Sequence, residues 1–426
     1  MLLVSHNMRR IALILASTLV LVSAATFALT HENADAAAPA LVDVMFVGNN
    51  WDGTADIVDA RTFKKIHRLN LIPDKAARLA EIQSNPESLA YYLAIKQLIG
   101  EGHDQYTDDM FSTHDGRLLA VSRPSFADVV GLNISSGKIV WRFKMEGQRA
   151  DHMGVSPDGK RLLVSDSTAN KVHEVDLRTG KKLREFPSGD TPHENNYTKK
   201  GERIFHASIG RVYVPADESP LGETGKIVKG SRVFQIVDNK TFKILKRWDI
   251  GQKLDEAGYP GMSSAVRPMA VAPDERFVYL QLSYFHGFVE FDTRGAGKVT
   301  RLATLPQSDE VKKMPRSQYV LNSAHHGLAI NPAGTKLCAA GTMSNYAAIV
   351  NRKTFAYKIL PVGDKPYWST NGYGGKTCWV SVSGNDKVVV IDYATEKIIK
   401  QIPVGDHPQR VREGKLAKSI VSAWRS

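Results

Sequence analysis

Apolar and polar residues alternate along this chain in short runs that close on tight-turn residues, and the pattern returns about every 40 residues. The clearest unit runs from Asp151-His152-Met153-Gly154-Val155, through Ser156-Pro157-Asp158-Gly159, to Arg161-Leu162-Leu163-Val164-Ser165-Asp166. It continues with Lys171-Val172-His173-Glu174-Val175-Asp176, the turn Leu177-Arg178-Thr179-Gly180, and the segment Lys181 to Gly189. Alternation at period two marks a strand with one face buried, and Pro-Asp-Gly and Arg-Thr-Gly supply the backbone geometry of tight turns. Each unit therefore predicts four antiparallel strands. The same grammar recurs around Ala329-Ile330-Asn331-Pro332-Ala333-Gly334, and again in Val388-Val389-Val390-Ile391-Asp392 with Ile402-Pro403-Val404-Gly405.

A 40-residue period made wholly of strands predicts the blades of a β-propeller and excludes a helical solenoid. Blade-like units begin near Tyr106, Ala150, Thr191, Ala265, Ser323 and Lys365. The segment from Asp43 to Leu71 holds only the last three strands of a further blade. Its first strand is supplied by Asp406-His407-Pro408-Gln409-Arg410-Val411, where the repeat restarts near the end of the chain. The expectation is an all-β, seven-bladed β-propeller over residues 41–415, closed by sharing one blade between the N- and C-terminal ends so that no sheet edge is left open. Residues 416–426 are left as a tail. Two stretches break the period: residues 73–102, rich in Ala, Leu and Lys at helical spacing, and the Gly- and Pro-bearing residues 215–229. Either could cap a face or decorate the surface.

The wording of the last repeat, Trp379-Val380-Ser381-Val382-Ser383-Gly384-Asn385-Asp386-Lys387-Val388-Val389-Val390-Ile391-Asp392 followed by Ile402-Pro403-Val404-Gly405, resembles the YVTN-type propeller repeat. The likeness covers most of residues 41–415 and is strongest in the third, sixth and seventh blades. The signature tetrad stands here as Leu163-Val164-Ser165-Asp166 and Trp379-Val380-Ser381-Val382, so the resemblance is to a divergent member. It implies a fold more firmly than an activity, because propellers host lyases, lactonases, oxidoreductase subunits and plain binding modules.

Composition narrows the class. The chain has 426 residues, 42% hydrophobic and 23% charged, which is globular. Arg9 and Arg10, an apolar run from Ile11 to about Ala28, and Ala34-Asp35-Ala36 together read as an export signal over residues 1–36, cleaved near Ala36. The expected location is then secreted or periplasmic, in the cell envelope, with no transmembrane span left after cleavage. The formal charge of +12 favours anionic partners. The Lys and Arg residues are spread over turns, however, so a nucleic-acid partner is not favoured. Cys338 and Cys378 occupy matching positions in successive repeats; with blades stacked at about 10 Å they are expected to remain two buried, unpaired thiols.

Candidate chemistry follows from the register. One position, eight residues ahead of the first turn of each blade, is held by Asp108, Asp151, His193, Arg267, His326 and Tyr367, with Gln409 as the seventh. Innermost strands line a propeller's channel, so these side chains are expected to form a ring at one mouth. Loops between second and third strands belong to the same face and add Phe126, His206, Tyr284, Phe285, His286, Met343, Asn345 and Trp51, while His152 is the neighbour of Asp151. The preferred role is binding of a small-molecule ligand or an envelope protein, with Asp108, His152, Arg267, His286, Gln409, Phe126 and Tyr284 in contact with it. The alternative is a lyase- or lactonase-type enzyme in which His193, His326, Asp151 and Tyr367 are catalytic. The cofactor question stays open. A divalent metal on His193, His326, Asp108 and Asp151 is the one candidate, because imidazole and carboxylate ligands leave positions open to substrate. No G-x-S-x-G, Walker or dinucleotide motif stands in the required context.

Overall fold

The computed structural model describes residues 40–211 and 228–425, so the expected signal segment and most of the 215–229 insertion lie outside the described residues. Among the described residues the strands form seven four-stranded antiparallel sheets. Blade two begins at Met110–Ser112, blade three at Ala150–Val155, blade four at Pro192–Tyr197, blade five at Val266–Val271, blade six at Leu328–Ile330 and blade seven at Pro366–Asn371. Blade one joins Leu41–Asn49, Thr54–Asp59 and Lys65–Asn70 to Pro408–Ala417, which lies antiparallel to Leu41–Asn49 with Val47 opposite Val411. The first strands neighbour one another around the axis, which makes this a seven-bladed β-propeller.

The local chemistry that folds each blade repeats with the sequence. In blade three the Ser156 hydroxyl bonds Asp158 and accepts from the Arg161 amide, while Gly159 at φ +66° completes the first turn. A side chain on Gly159 would also strike the His114 ring. At the outer turn the Asp176 carboxylate accepts from the amides of Arg178 and Thr179. Asp238, Asn351 and Asp392 make the corresponding turn with Thr241, Thr354 and Thr395. Between sheets the inward faces are apolar and closely packed, for instance Val44, Phe46, Leu119 and Val121 between blades one and two.

Cys338 and Cys378 correct the sequence expectation: they form a disulfide between the second strands of blades six and seven, with Cα atoms 6.5 Å apart. The 10 Å spacing holds for sheets stacked in parallel, whereas propeller sheets converge on one axis. The small side chains Ala340 and Ala347 beside the cysteines allow the close approach. The tail also differs. Its strand runs on to Ala417, and the helix Lys418–Arg425 packs Ile420 and Val421 into the core of blades one and two, with Trp424 stacked on His67.

The period-breaking stretch before blade two is a helical hairpin, α1 (Lys75–Gln83) and α2 (Pro86–Leu98). The Trp51 ring is sandwiched between His103, just beyond α2, and His407, each at 3.7 Å between ring centroids. Glu101 pairs with Lys365 at 2.6 Å. These contacts fix the hairpin over one end of the channel, so it caps that mouth.

Candidate functional site

All seven ring positions meet at the capped mouth. Asp108, Asp151, His193, Arg267, His326, Tyr367 and Gln409 line one cavity of about 100 Å³, roofed by Leu98 and Ile99 of the hairpin and by Leu321. His152, Arg149 and Arg410 line it as well. A regular strand would send neighbours such as Asp151 and His152 to opposite faces, but the first strands are not regular here. In blade three, Ala150 opposes Asp166 and Met153 opposes Val164, which leaves two residues facing one. Blades one, four, five and seven carry the same irregularity at Gln409-Arg410, His193, Arg267 and Tyr367. In blades two and six, Asp108 and His326 lie just ahead of short strands and are tethered by backbone bonds to Ser122 and Ala340. A β-bulge re-aims a side chain, and its repetition at one level delivers extra side chains to the axis. His325 follows the ordinary rule: it turns away and bonds the Tyr346 hydroxyl at 3.0 Å.

The chamber is polar, buried and charged. Arg149 grips Asp151 with two nitrogens at 2.9 and 3.3 Å, and Ser167 donates to the same carboxylate at 3.0 Å. Arg410 pairs with Asp108 at 3.1 Å, donates to Nε2 of His152, and lies 4.2 Å from the Trp368 ring centroid. Arg267 donates to Ser283 at 2.8 Å and to the Leu321 carbonyl. Nδ1 of His152 donates to Glu194 at 2.8 Å, and its ring lies 3.8 Å from that of His193. His326 stacks on Tyr367 at 4.2 Å.

Burial dominates the electrostatics. It pushes His152, His193 and His326 well below the ordinary imidazole value, helped by the nearby arginines, so all three are neutral at pH 7. Burial lifts Asp108 to about 6 in spite of Arg410, and Glu194 to about 7 in spite of Arg412 and Arg410. Several polar atoms here have no protein partner among the described residues: Oδ2 of Asp108, Nδ1 of His193 and of His326, and Nε and Nη1 of Arg410. Buried polar atoms are normally satisfied, so these unpartnered atoms around one cavity set it apart as the candidate site.

Three expected contacts are absent from the chamber lining. Phe126 packs under the hairpin with Ile72, Ile82 and Tyr106. Tyr284 packs with Val311, Tyr319 and Ala324, and His286 bonds the Tyr319 hydroxyl at 3.0 Å. The cause is the long connection between blades five and six, whose residues cover that loop. His206 is likewise engaged elsewhere, between Ser188 of the blade three to four connection and Asn195. Conversely, alternation does not reveal Arg149 or Arg410 as chamber residues, because Arg149 precedes the first strand of blade three and Arg410 is turned inward by a bulge.

The protein is thus a seven-bladed β-propeller with a capped, polar chamber at one end of its channel. A solved structure of hydrazine synthase from Kuenenia stuttgartiensis is similar to it, with a TM-score of 0.55 and 16% identity, covering 81% of this chain and 94% of that chain. At that identity the likeness is one of fold. No family model and no curated protein matches the chain.

Proposed function

We propose that the chamber binds a small organic anion. The observation that carries this reading is the set of unpartnered buried nitrogens on Arg410, His193 and His326, facing a cavity in which Arg149, Arg267 and Arg410 outnumber Asp108 and Asp151. With the histidines neutral, the chamber carries a net positive charge in a water-poor setting, where charge-assisted hydrogen bonds are strong. Size narrows the class. At roughly 10–15 Å³ per water-sized group, 100 Å³ admits about seven to ten such groups, which suits a short-chain carboxylate and excludes a nucleotide.

The protein is read as exported, a location that the Cys338–Cys378 disulfide supports, since such bonds persist in oxidising compartments. Its repeats are those of a divergent YVTN-type propeller.

Calorimetric titration of metal-stripped protein with oxalate, malonate, succinate and inorganic phosphate tests the reading. At least one anion is expected to bind with 1:1 stoichiometry, with an uncharged amide analogue silent and Arg410→Gln weakening the affinity at least about tenfold. Replacing His193 and His326 together with Ala is expected to abolish binding while leaving the melting temperature nearly unchanged. No saturable binding of any of these anions at millimolar concentration sinks the proposal.

A further inference from the structure

Beyond an anion, the chamber has the makings of a metal centre, an inference that rests on the reading of this chamber as a ligand site. We propose that His152, His193 and His326 together hold one divalent first-row transition ion through three imidazole nitrogens, with a further coordination position open to the bound anion.

Geometry is the first support. One ring nitrogen from each of the three lies within 4.8 Å of the others, and all three residues are buried. They come from blades three, four and six, far apart in sequence, and bulges or loop tethers aim each of them inward. A ring around a channel needs polar residues, but nothing in that requirement gathers three imidazoles at one point.

The second support lies behind the first histidine. Nδ1 of His152 donates to Glu194, which leaves Nε2 as the acceptor nitrogen, engaged in this structure by Arg410. Carboxylate-backed imidazole is the usual arrangement behind a metal-ligating histidine, because it fixes the tautomer and raises the basicity of the ligating nitrogen. The buried Nδ1 atoms of His193 and His326 lack protein partners. Elsewhere His206 spends both ring nitrogens and His173 lies between Asp166 and Glu185, while His286 and His325, whose Nδ1 atoms are likewise unpartnered, each bond a tyrosine hydroxyl through Nε2.

Two other groupings are weaker. Asp108 and Asp151 with His152 form a second cluster, but Arg410 and Arg149 already hold the carboxylates. This alters the ligand set expected from sequence: His152 takes the place of the aspartates. At the surface, Glu146 and Glu185 beside His173 are neutralised by Lys171 and Lys182. For the ion to bind, Arg410 must release Nε2 of His152, and Asp108 at 3.1 Å is placed to keep hold of the guanidinium. Three neutral imidazoles favour zinc, copper, nickel or cobalt over calcium or magnesium.

The test titrates full-length, chelator-stripped protein with Zn²⁺ by calorimetry and with Co²⁺ by visible absorption, in the absence of any organic anion. The expected result is one ion per chain, Co²⁺ d–d bands, and at least about 100-fold weaker binding in His193→Ala and in His326→Ala. Glu194→Gln, behind the ligand, is expected to weaken binding by about 10–100-fold. X-ray absorption of the wild-type zinc complex, which depends on no variant, should show three imidazole shells. No stoichiometric binding, an unchanged affinity in both histidine variants, or fewer than three imidazoles overturns the inference. Anion binding to the stripped protein then stands or falls separately, so loss of the metal centre alone leaves the anion site intact.

Discussion

Reduction of the Cys338–Cys378 bond gives a stability change whose size follows from the structure. The cysteines are 40 residues apart in sequence and bridge two neighbouring blades. Releasing the cross-link returns loop-closure entropy to the unfolded chain, worth about 4 kcal/mol for a loop of this length. Little else changes: both residues are fully buried among Ala340, Ala347 and Val380, where two thiols fit as small apolar side chains. Unfolding entropy grows with chain length, so for a chain of this size the loss corresponds to a melting temperature lower by about 5 °C. The assay is scanning calorimetry of oxidised and reduced protein, with thiols counted in denaturant before each run. Because the bond is buried, reduction should require prior unfolding, and Cys338→Ala/Cys378→Ala provides the permanently open form. Two titratable thiols in protein purified without reductant, or superimposable melts of verified oxidised and reduced samples, would refute the reasoning.

Other consequences are equally open to measurement. Arg123 is fully buried and donates to Asp128 through two nitrogens at 2.8 Å and to Asp74 at 2.6 Å. Arg123→Met leaves the buried Asp128 with Arg142 alone and should cost about 3–5 kcal/mol in urea unfolding; a loss below about 1 kcal/mol would contradict that network. Trp51→Ala removes the ring held between His103 and His407, so amide exchange in α2 should accelerate at least about tenfold while the blades stay protected. Uniform acceleration across the molecule would instead assign Trp51 to the general core. The pH dependence has two limbs in metal-free protein. Against the upward push of burial, Arg123 holds Asp74 and Arg301 holds Glu290 below the ordinary carboxylate range. Their stabilisation is present above about pH 4 and is lost as pH falls through the depressed values. Glu194, held up at about 7 by burial, acts in the opposite sense, favouring the fold at acid pH and losing that contribution as pH rises through 7. The buried His152, His193 and His326, which burial holds well below the ordinary imidazole value, oppose this, because the unfolded chain takes up their protons as pH falls below about 6.5, so thermal stability should be greatest near about pH 7. Glu194→Gln should flatten the decline above about pH 7, and an unchanged pH profile in that variant would speak against a buried Glu194 carboxyl.

The blades and the ring were legible because both depend on local periodicity. Alternation gave the strands, and counting eight residues back from turns such as Gly116, Gly159, Gly201 and Gly334 reached Asp108, Asp151, His193 and His326, all of which line the chamber. What was not legible depends on departures from periodicity or on long-range packing. The partnership of His152 with His193, and the inward turn of Arg410, require a bulge that alternation does not reveal. Phe126 and His286 lie outside the chamber lining because the helical hairpin and the blade five to six connection cover them. The disulfide escapes a spacing argument because propeller sheets converge instead of stacking as parallel layers.

One chamber, lined by residues of every blade, is proposed to receive a small anion. A high-resolution crystal structure of the metal-stripped protein, grown with the tightest-binding dicarboxylate, tests this most directly. It should show the ligand carboxylate within hydrogen-bonding distance of Arg410 and Arg267, inside the ring that holds Asp151, His193 and His326. Ligand density elsewhere on the molecule, or those five side chains dispersed over separate surfaces, would contradict it.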